Sequence, residues 1–189
     1  MKTLGICASF GLHVCIINDD KVVYSYSRED ELKSDNLLTV IDNGLKENKM
    51  SFADIDVIAT CIGPGSFTGS RVAISLVKGL FVGQNKKLIA FNAFDCYSDG
   101  DVVLPGFGEF VYLRQNGKQS CIEIGKIENF KGVCCSDSLA NFFKSKRANF
   151  DMTNIIKRKL KENEFVAIEN LMPVYLRASQ AEIDREKRK

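Results

Sequence analysis

Hydrophobic residues in this chain recur with two different periods, and the switches between them mark out its elements. Short, β-branched apolar runs bounded by turn residues predict strands at 2–7, 12–17 and 22–26, with Asn18-Asp19-Asp20-Lys21 as a hairpin turn. The period then changes. Over residues 35–48, Leu37, Leu38, Ile41 and Leu45 share one helical face, with Ser34 or Asp35 as the cap. Ser51-Phe52-Ala53-Asp54 has the spacing of a capping box and leads into a buried strand at 55–61. A helix reaching to about residue 83 follows, then a strand at 88–91. Three strands in quick succession, continued by strand–helix–strand crossovers, make a mixed sheet with helices packed on it.

The chain is organised around the turn between the fourth strand and the long helix. It reads Cys61-Ile62-Gly63-Pro64-Gly65-Ser66-Phe67-Thr68-Gly69-Ser70-Arg71. Gly63 and Gly65 permit positive φ and close backbone approach, Pro64 fixes its own φ, and Ser66 or Thr68 can cap the helix. The helix behind it is apolar almost all round. At about 100° per residue, Val72, Ala73, Ile74, Leu76, Val77, Leu80 and Phe81 span roughly 200°, leaving a strip for Arg71, Ser75 and Lys78. An ordinary surface helix has an apolar stripe of about 100°. This one therefore needs two partners: its own sheet, and either more core or another protein. Gly79 and Gly83 fall near one line with Ser75, where a neighbouring backbone could come close.

The glycine turn fails the patterns that would make it a catalytic or nucleotide site. Gly63 to Gly69 lacks the Lys-Ser/Thr of a Walker A loop, and its GxGxxxG spacing is not the dinucleotide fingerprint. No acidic residue stands convincingly at a strand end about 20 residues on. A helix N-terminus attracts anions generically, but a structural turn is the better reading. Ser66 is no nucleophile elbow, since Pro64 and Thr68 stand where glycines are required. The chain's one histidine, His13, falls in a half-buried strand, and nothing pairs it with Ser66. Peptidase chemistry is unsupported, so no catalytic residue is assigned.

Gly63-Pro64-Gly65-Ser66-Phe67-Thr68-Gly69-Ser70-Arg71-Val72, with Lys78-Gly79-Leu80 behind it, resembles the signature of the TsaB (YeaZ) family. Pro173-Val174-Tyr175-Leu176-Arg177 resembles the segment near that family's C-terminus, and Phe52-Ala53-Asp54-Ile55-Asp56 a segment between. The likeness is strong over residues 1–95, weak from 96 to 170, and strong again at 173–177. It implies a ribonuclease-H-like half-domain of the actin-like (ASKHA) ATPase superfamily, and a non-catalytic scaffold for a TsaD-like synthase that modifies adenosine 37 of tRNA with a threonylcarbamoyl group. The implied partners are that synthase as a heterodimer, a TsaE-like ATPase through the complex, and tRNA indirectly, with a homodimer when the chain is alone and no part for membrane or DNA.

By the same resemblance the partner surface is a bundle of the first lobe's two helices. It maps here to Leu38 and Asp42, and to Ser70, Ile74, Val77 and Phe81. The synthase family binds metal through a histidine pair on one helix, which a chain with a single histidine does not supply, and this chain is short for that family. The superfamily's ATPases carry an acid at the end of the first strand, where this chain has Cys7-Ala8-Ser9. No metal site and no independently bound cofactor is therefore expected, with ATP and Mg²⁺ only within the complex. The alternative is an autonomous small enzyme, a glycoprotease-like peptidase or an ATPase. It would need a carboxylate set that the sequence lacks.

Beyond residue 92 the patterns weaken. Strands are predicted at 102–104, 109–113 and 120–124, helices at 138–144 and 154–162, an extended segment around Pro173, and a frayed tail at 182–189. We divide the chain into a lobe at 1–95 and a smaller, degenerate second lobe at 96–189. The family's Asp-Ala-Arg-like run is absent, replaced by Leu104-Pro105-Gly106-Phe107-Gly108. Composition agrees with an α/β globular protein: 189 residues, 45% hydrophobic, 26% charged, net charge +2. That charge demands no polyanionic partner. Seven cysteines without a CxxC pair read as reduced, buried thiols of a cytoplasmic protein, and no membrane span or signal peptide is evident. Lys157-Arg158-Lys159 with Lys161, and the basic tail, read as solvated faces.

Overall fold

A computed structural model describes residues 1–29 and 36–177 and divides the chain into two compact units. The first comprises Met1–Cys96 and Asp151–Pro173. Its strands are β1 (Lys2–Cys7), β2 (Leu12–Asn18), β3 (Lys21–Arg28), β4 (Val57–Cys61) and β5 (Lys87–Phe91). They form a mixed sheet in the order β3-β2-β1-β4-β5. β1 pairs antiparallel with β2 and parallel with β4, and β4 pairs parallel with β5. The hairpin turn falls where the polar Asn18–Lys21 run predicts it, with Asp19 in the left-handed region at φ 52°.

Alternation along the strands sorts the two faces of this sheet. Leu4, Ile6, Val14, Ile16, Ile58 and Leu88 form one buried cluster with residues of α1 (Leu37–Glu47) and α2 (Phe67–Phe81). On the opposite face, α4 (Met152–Glu162) sets Ile156 over Gly5, where a Cβ would stand 2.6 Å from both Ile156 Cδ1 and Cys15 Sγ. Position 5 is therefore glycine because two layers meet there. The division of the chain thus differs from a cut at residue 95: 151–173 comes back to the first unit, because the apolar stripe of α4 covers that sheet's second face.

Local chemistry accounts for the element ends. Ser51 and Asp54 form the expected capping box, Asp54 Oδ2 accepting from the Ser51 amide and hydroxyl, each at 2.8 Å. This opens a single 3-10 turn, Phe52–Asp54. α1 begins at Asn36 without a side-chain cap; the predicted caps Ser34 and Asp35 lie outside the described residues. The frayed tail at 182–189 lies outside them too.

The second unit comprises Tyr97–Phe150 and, among the described residues, 174–177. Its sheet runs β10-β9-β6-β7-β8, from β6 (Val102–Pro105), β7 (Phe110–Gln115), β8 (Lys118–Glu123), β9 (Val133–Cys134) and β10 (Lys146–Arg147). Read from its first strand, the plan repeats the first sheet. β6-β7-β8 is the antiparallel meander, and β9 and β10 add in parallel on the other side of β6. Two losses shorten it. β9 and β10 are two residues each, and a single 3-10 turn at Ile124–Lys126 stands where the first unit has α1. α3 (Asp137–Phe143) takes the place of α2 and is likewise capped by serine, Ser136. This duplicated mixed sheet with flanking helices is the ribonuclease-H-like, actin-like fold, with its second lobe reduced.

Candidate functional site: the glycine turn and the helix behind it

The turn after β4 is packed too tightly to be a ligand cradle. The Gly63–Pro64 peptide is cis, and Gly63 (φ 101°) and Gly65 (φ 152°) occupy the region that favours glycine. A Cβ at Gly65 would lie 2.4 Å from the Ser9 carbonyl oxygen, and one at Gly69 2.0 Å from that of Ala8. The glycines admit the backbone of the chain's own Ala8–Ser9 loop. The amides follow the same rule. Ser66 N donates to Ser9 O at 2.7 Å, and Gly69 N donates to Ser66 Oγ at 3.1 Å, which caps α2. On the strand side, Ala93 N donates to Gly63 O at 2.8 Å and Ile62 N to Phe91 O at 2.9 Å. Thr68, the other predicted cap, is exposed on the first turn of α2.

A buried polar link completes the joint. The hydroxyls of Ser9 and Ser70 meet at 3.0 Å, and Ser9 Oγ donates to Cys61 Sγ at 3.4 Å. The strand end itself is Cys7, a thiol with no carboxylate beside it in Cys7-Ala8-Ser9, and the Ser9 hydroxyl is already held by two neighbours. These residues do not fit a Mg²⁺-nucleotide, and no chemical step is assigned through one. Among the described residues no group of three or more His, Cys, Asp or Glu is placed to hold a metal ion. The sequence reading found the turn but missed Ser9 and Ser70 as its fixings. The signal was there in the small residues Cys7-Ala8-Ser9 at the end of a buried strand.

His13 has a structural task. Its Nε2 lies 2.6 Å from Phe10 O, a group that can only accept, so Nε2 carries the proton. Nδ1 is then left to accept from Ser27 Oγ at 2.8 Å. Burial pushes the imidazole pKa below its usual 6.5, the Phe10 carbonyl opposing more weakly. The sign follows: as pH falls through 6.5, the unfolded chain takes a proton that the folded chain refuses, and stability declines. The slope is at most about 1.4 kcal/mol per pH unit for one proton. Urea unfolding of wild type and His13→Gln at pH values between 7.5 and 5 should show a steeper loss in the wild type. Equal slopes would mean that His13 accepts its proton in the folded state.

The described thiols are all free, and six of the seven are buried. Burial raises Cys15 to about 12 and pushes Cys61 and Cys96 well up, so none of these three is a thiolate nucleophile at neutral pH.

The partner-facing expectation for α2 needs correction. Ser70, Ile74 and Val77 are 3%, 4% and 0% exposed, and they face the sheet with Gly69 and Ala73. Phe81 is half-buried against the same core. The reason lies at the turn: the close approach of Gly69 to Ala8 and the Ser9–Ser70 contact fix the rotation of α2. The exposed positions are Arg71, Ser75 and Gly79, with Val82 just beyond the helix end, and Val72 and Leu76 flank them, half-buried against the same core as Phe81. The Arg71 guanidinium lies 3.8 Å from the Phe67 ring centre. On α1 the two named positions lie at the surface. Leu38 is 57% exposed, and Asp42 is exposed and paired with Lys46 at 2.6 Å.

Comparisons with known proteins point in one direction. A family model described as TsaD, tRNA N6-adenosine threonylcarbamoyltransferase, matches residues 30–100. The tRNA threonylcarbamoyladenosine biosynthesis protein TsaB of Buchnera aphidicola is 35% identical over 88 residues, 45% of this chain and 39% of that protein. The tRNA N6-adenosine threonylcarbamoyltransferase of Thermosipho melanesiensis is 44% identical over 57 residues, 30% of this chain and 18% of that protein. The matched stretches thus span well under half of the curated relatives. Among solved structures, a Pseudomonas aeruginosa protein described as similar to peptidase YEAZ aligns with a TM-score of 0.77 at 18% identity, over 93% of this chain and 99% of that one. YeaZ from the same organism aligns with a TM-score of 0.75 at 17% identity.

Proposed function

We propose that this chain, whose kinship with the TsaB (YeaZ) family the comparisons support, is a non-catalytic subunit in the synthesis of threonylcarbamoyladenosine on tRNA. It binds a TsaD-like synthase in the cytoplasm and holds that enzyme in its active form; a TsaE-like ATPase and the tRNA join through the complex. The observation that carries this reading is the glycine turn itself. The glycines, capping serine and Ser9 hydroxyl that would make a nucleotide or oxyanion site hold the chain's own backbone and helix instead. What the turn delivers is a rigidly oriented helix with half-exposed apolar residues on its outer flank.

On this reading the partner surface is Leu38 of α1 with Val72, Ser75, Leu76 and Gly79 of α2, in place of Ser70, Ile74 and Val77. Gly79 has nothing within 4 Å of where its Cβ would be, which leaves room for a partner's backbone. Such a surface also fits a homodimer when the synthase is absent.

The test is co-purification of the full chain with the TsaD-like protein of the same organism, followed by a tRNA-modification assay with and without this chain. Leu76→Glu should still fold, though melting below the wild type because Leu76 is half-buried against the core, and should lose the complex by at least tenfold in affinity, since a charge would enter an apolar contact. A complex unaffected by Leu76→Glu puts the interface elsewhere. Peptidase or ATPase activity in the chain alone, with no complex, would instead establish the autonomous enzyme.

A further inference from the structure

The far end of α2 is held in place by a side chain that no motif announces. The helix leaves through Val82, 72% exposed, and Gly83, whose φ of 70° turns the chain toward β5. None of residues 82–85 is buried, and Gly83 has nothing within 4 Å of where its Cβ would be. Gln84 N donates to Phe81 O at 3.0 Å, a single local turn. Burial therefore does not fix this connection, and a helix end so placed frays unless something ties it down.

Lys86 supplies that tie. Its ammonium donates to three backbone carbonyls of the turn that precedes β4: Ile55 O at 2.5 Å, Phe52 O at 2.9 Å and Ala53 O at 3.4 Å. The same group lies 4.7 Å from the centre of the Phe52 ring. An ammonium has three protons, and three oxygens take them here while the negative face of the ring closes a further side. The oxygens converge because Phe52–Asp54 is one 3-10 turn, whose carbonyls point past its end, and the Ser51–Asp54 capping box fixes that turn at its start. The next residue adds a backbone tie, Lys87 N donating to Asp56 O at 3.0 Å.

We propose that Lys86 is a positioning residue for the partner surface: its ammonium, seated among the three carbonyls, fixes the exit of α2 and with it the last turn that carries Gly79. Gly79 and Val82 are both exposed, and a loosened exit would present them in many arrangements. A partner would then have to order them on binding, at a cost in affinity. The part played toward a partner rests on the function proposed above; the clasp itself rests on the contacts of Lys86 alone.

The experiment is hydrogen–deuterium exchange of the full chain, wild type against Lys86→Met, which keeps a long stem and removes the ammonium. Amides of residues 80–86 should exchange roughly tenfold faster in the variant, with those of β1 and β4 unchanged. Affinity for the TsaD-like protein should fall about fivefold. Lys86→Ala should exchange as Lys86→Met does, and added n-propylammonium should slow it again, since a free alkylammonium can donate into the same carbonyls. Tetramethylammonium, which has the charge but no N–H, should not; a merely structural loss of the side chain would answer to neither salt. The proposal fails if exchange over 80–86 is unchanged in Lys86→Met, or if it quickens while synthase affinity stays at the wild-type value. A wild-type chain that does not bind the synthase sinks the scaffold reading and the positioning role together, whereas a failure confined to Lys86→Met sinks this proposal alone.

Discussion

Gly69→Ala is expected to destabilise the protein by about 3 kcal/mol, while Gly79→Ala, farther along the same helix, stabilises it by about 0.5 to 1 kcal/mol. Both glycines are helical, and neither has positive φ. Intrinsic propensity therefore favours alanine equally at the two sites, and surroundings decide the sign. At Gly69 the added Cβ falls 2.0 Å from the Ala8 carbonyl oxygen and 3.1 Å from its carbon. No side chain can swing aside to relieve that contact, since the obstacle is backbone. The Ala8–Ser9 loop is itself fixed to α2 by the Ser66 N–Ser9 O bond at 2.7 Å and the Ser9–Ser70 contact at 3.0 Å. Either the helix start or the loop must move, and with it the Ser66 cap. At Gly79 nothing lies within 4 Å. Thermal melts followed by circular dichroism read the pair directly: a drop of roughly 6–12 °C for Gly69→Ala, and a rise of about 2 °C for Gly79→Ala. If Gly69→Ala melts at or above the wild-type temperature, the Ala8 loop is free to give way and the turn is not the rigid joint described above.

That joint also shows how far the sequence could be read. The strands of the first unit were legible because their periodicity is strong and their turns carry their own chemistry, as at Asn18–Lys21 and Ser51–Asp54. The cap at Ser66 was legible for the same local reason. Three features were not. β9 and β10 are two residues long, shorter than any period that could announce them. The return of α4 to the first sheet depends on a contact between Ile156 and Gly5, which no local pattern encodes. The outward face of α2 was misread because its apolar arc is about twice the usual width, so the wheel admits more than one rotation. What selects the rotation is the backbone contact at Gly69 and the hydroxyl contact at Ser70, both made with the Ala8–Ser9 loop that follows β1, far away in the sequence.

Val77→Glu tests that rotation, with an expected cost of about 4 kcal/mol or more and loss of soluble, cooperatively folding protein near neutral pH. Val77 is fully buried in the cluster that also holds Ala73, Ile74, Leu4 and Ile58, and a carboxylate there would have neither water nor a cation. A cost of that size is comparable with the whole stability of an ordinary domain, about 5–15 kcal/mol. The pH dependence separates this from a merely bulky substitution. Burial raises the pKa of the new carboxyl above its unfolded value of about 4.3, so the penalty is complete above the folded pKa. It shrinks as pH falls toward about 4.3, where both states are protonated. The stability gap between wild type and Val77→Glu should therefore narrow on acidification, and Val77→Gln should show no such narrowing. Leu76→Glu, at a position only half-buried against that core, should cost less than Val77→Glu and leave soluble, cooperatively folding protein. If Val77→Glu instead folds like the wild type at neutral pH and loses only the synthase, Val77 lies on the partner surface, and the outward face of α2 reverts to Ser70, Ile74, Val77 and Phe81.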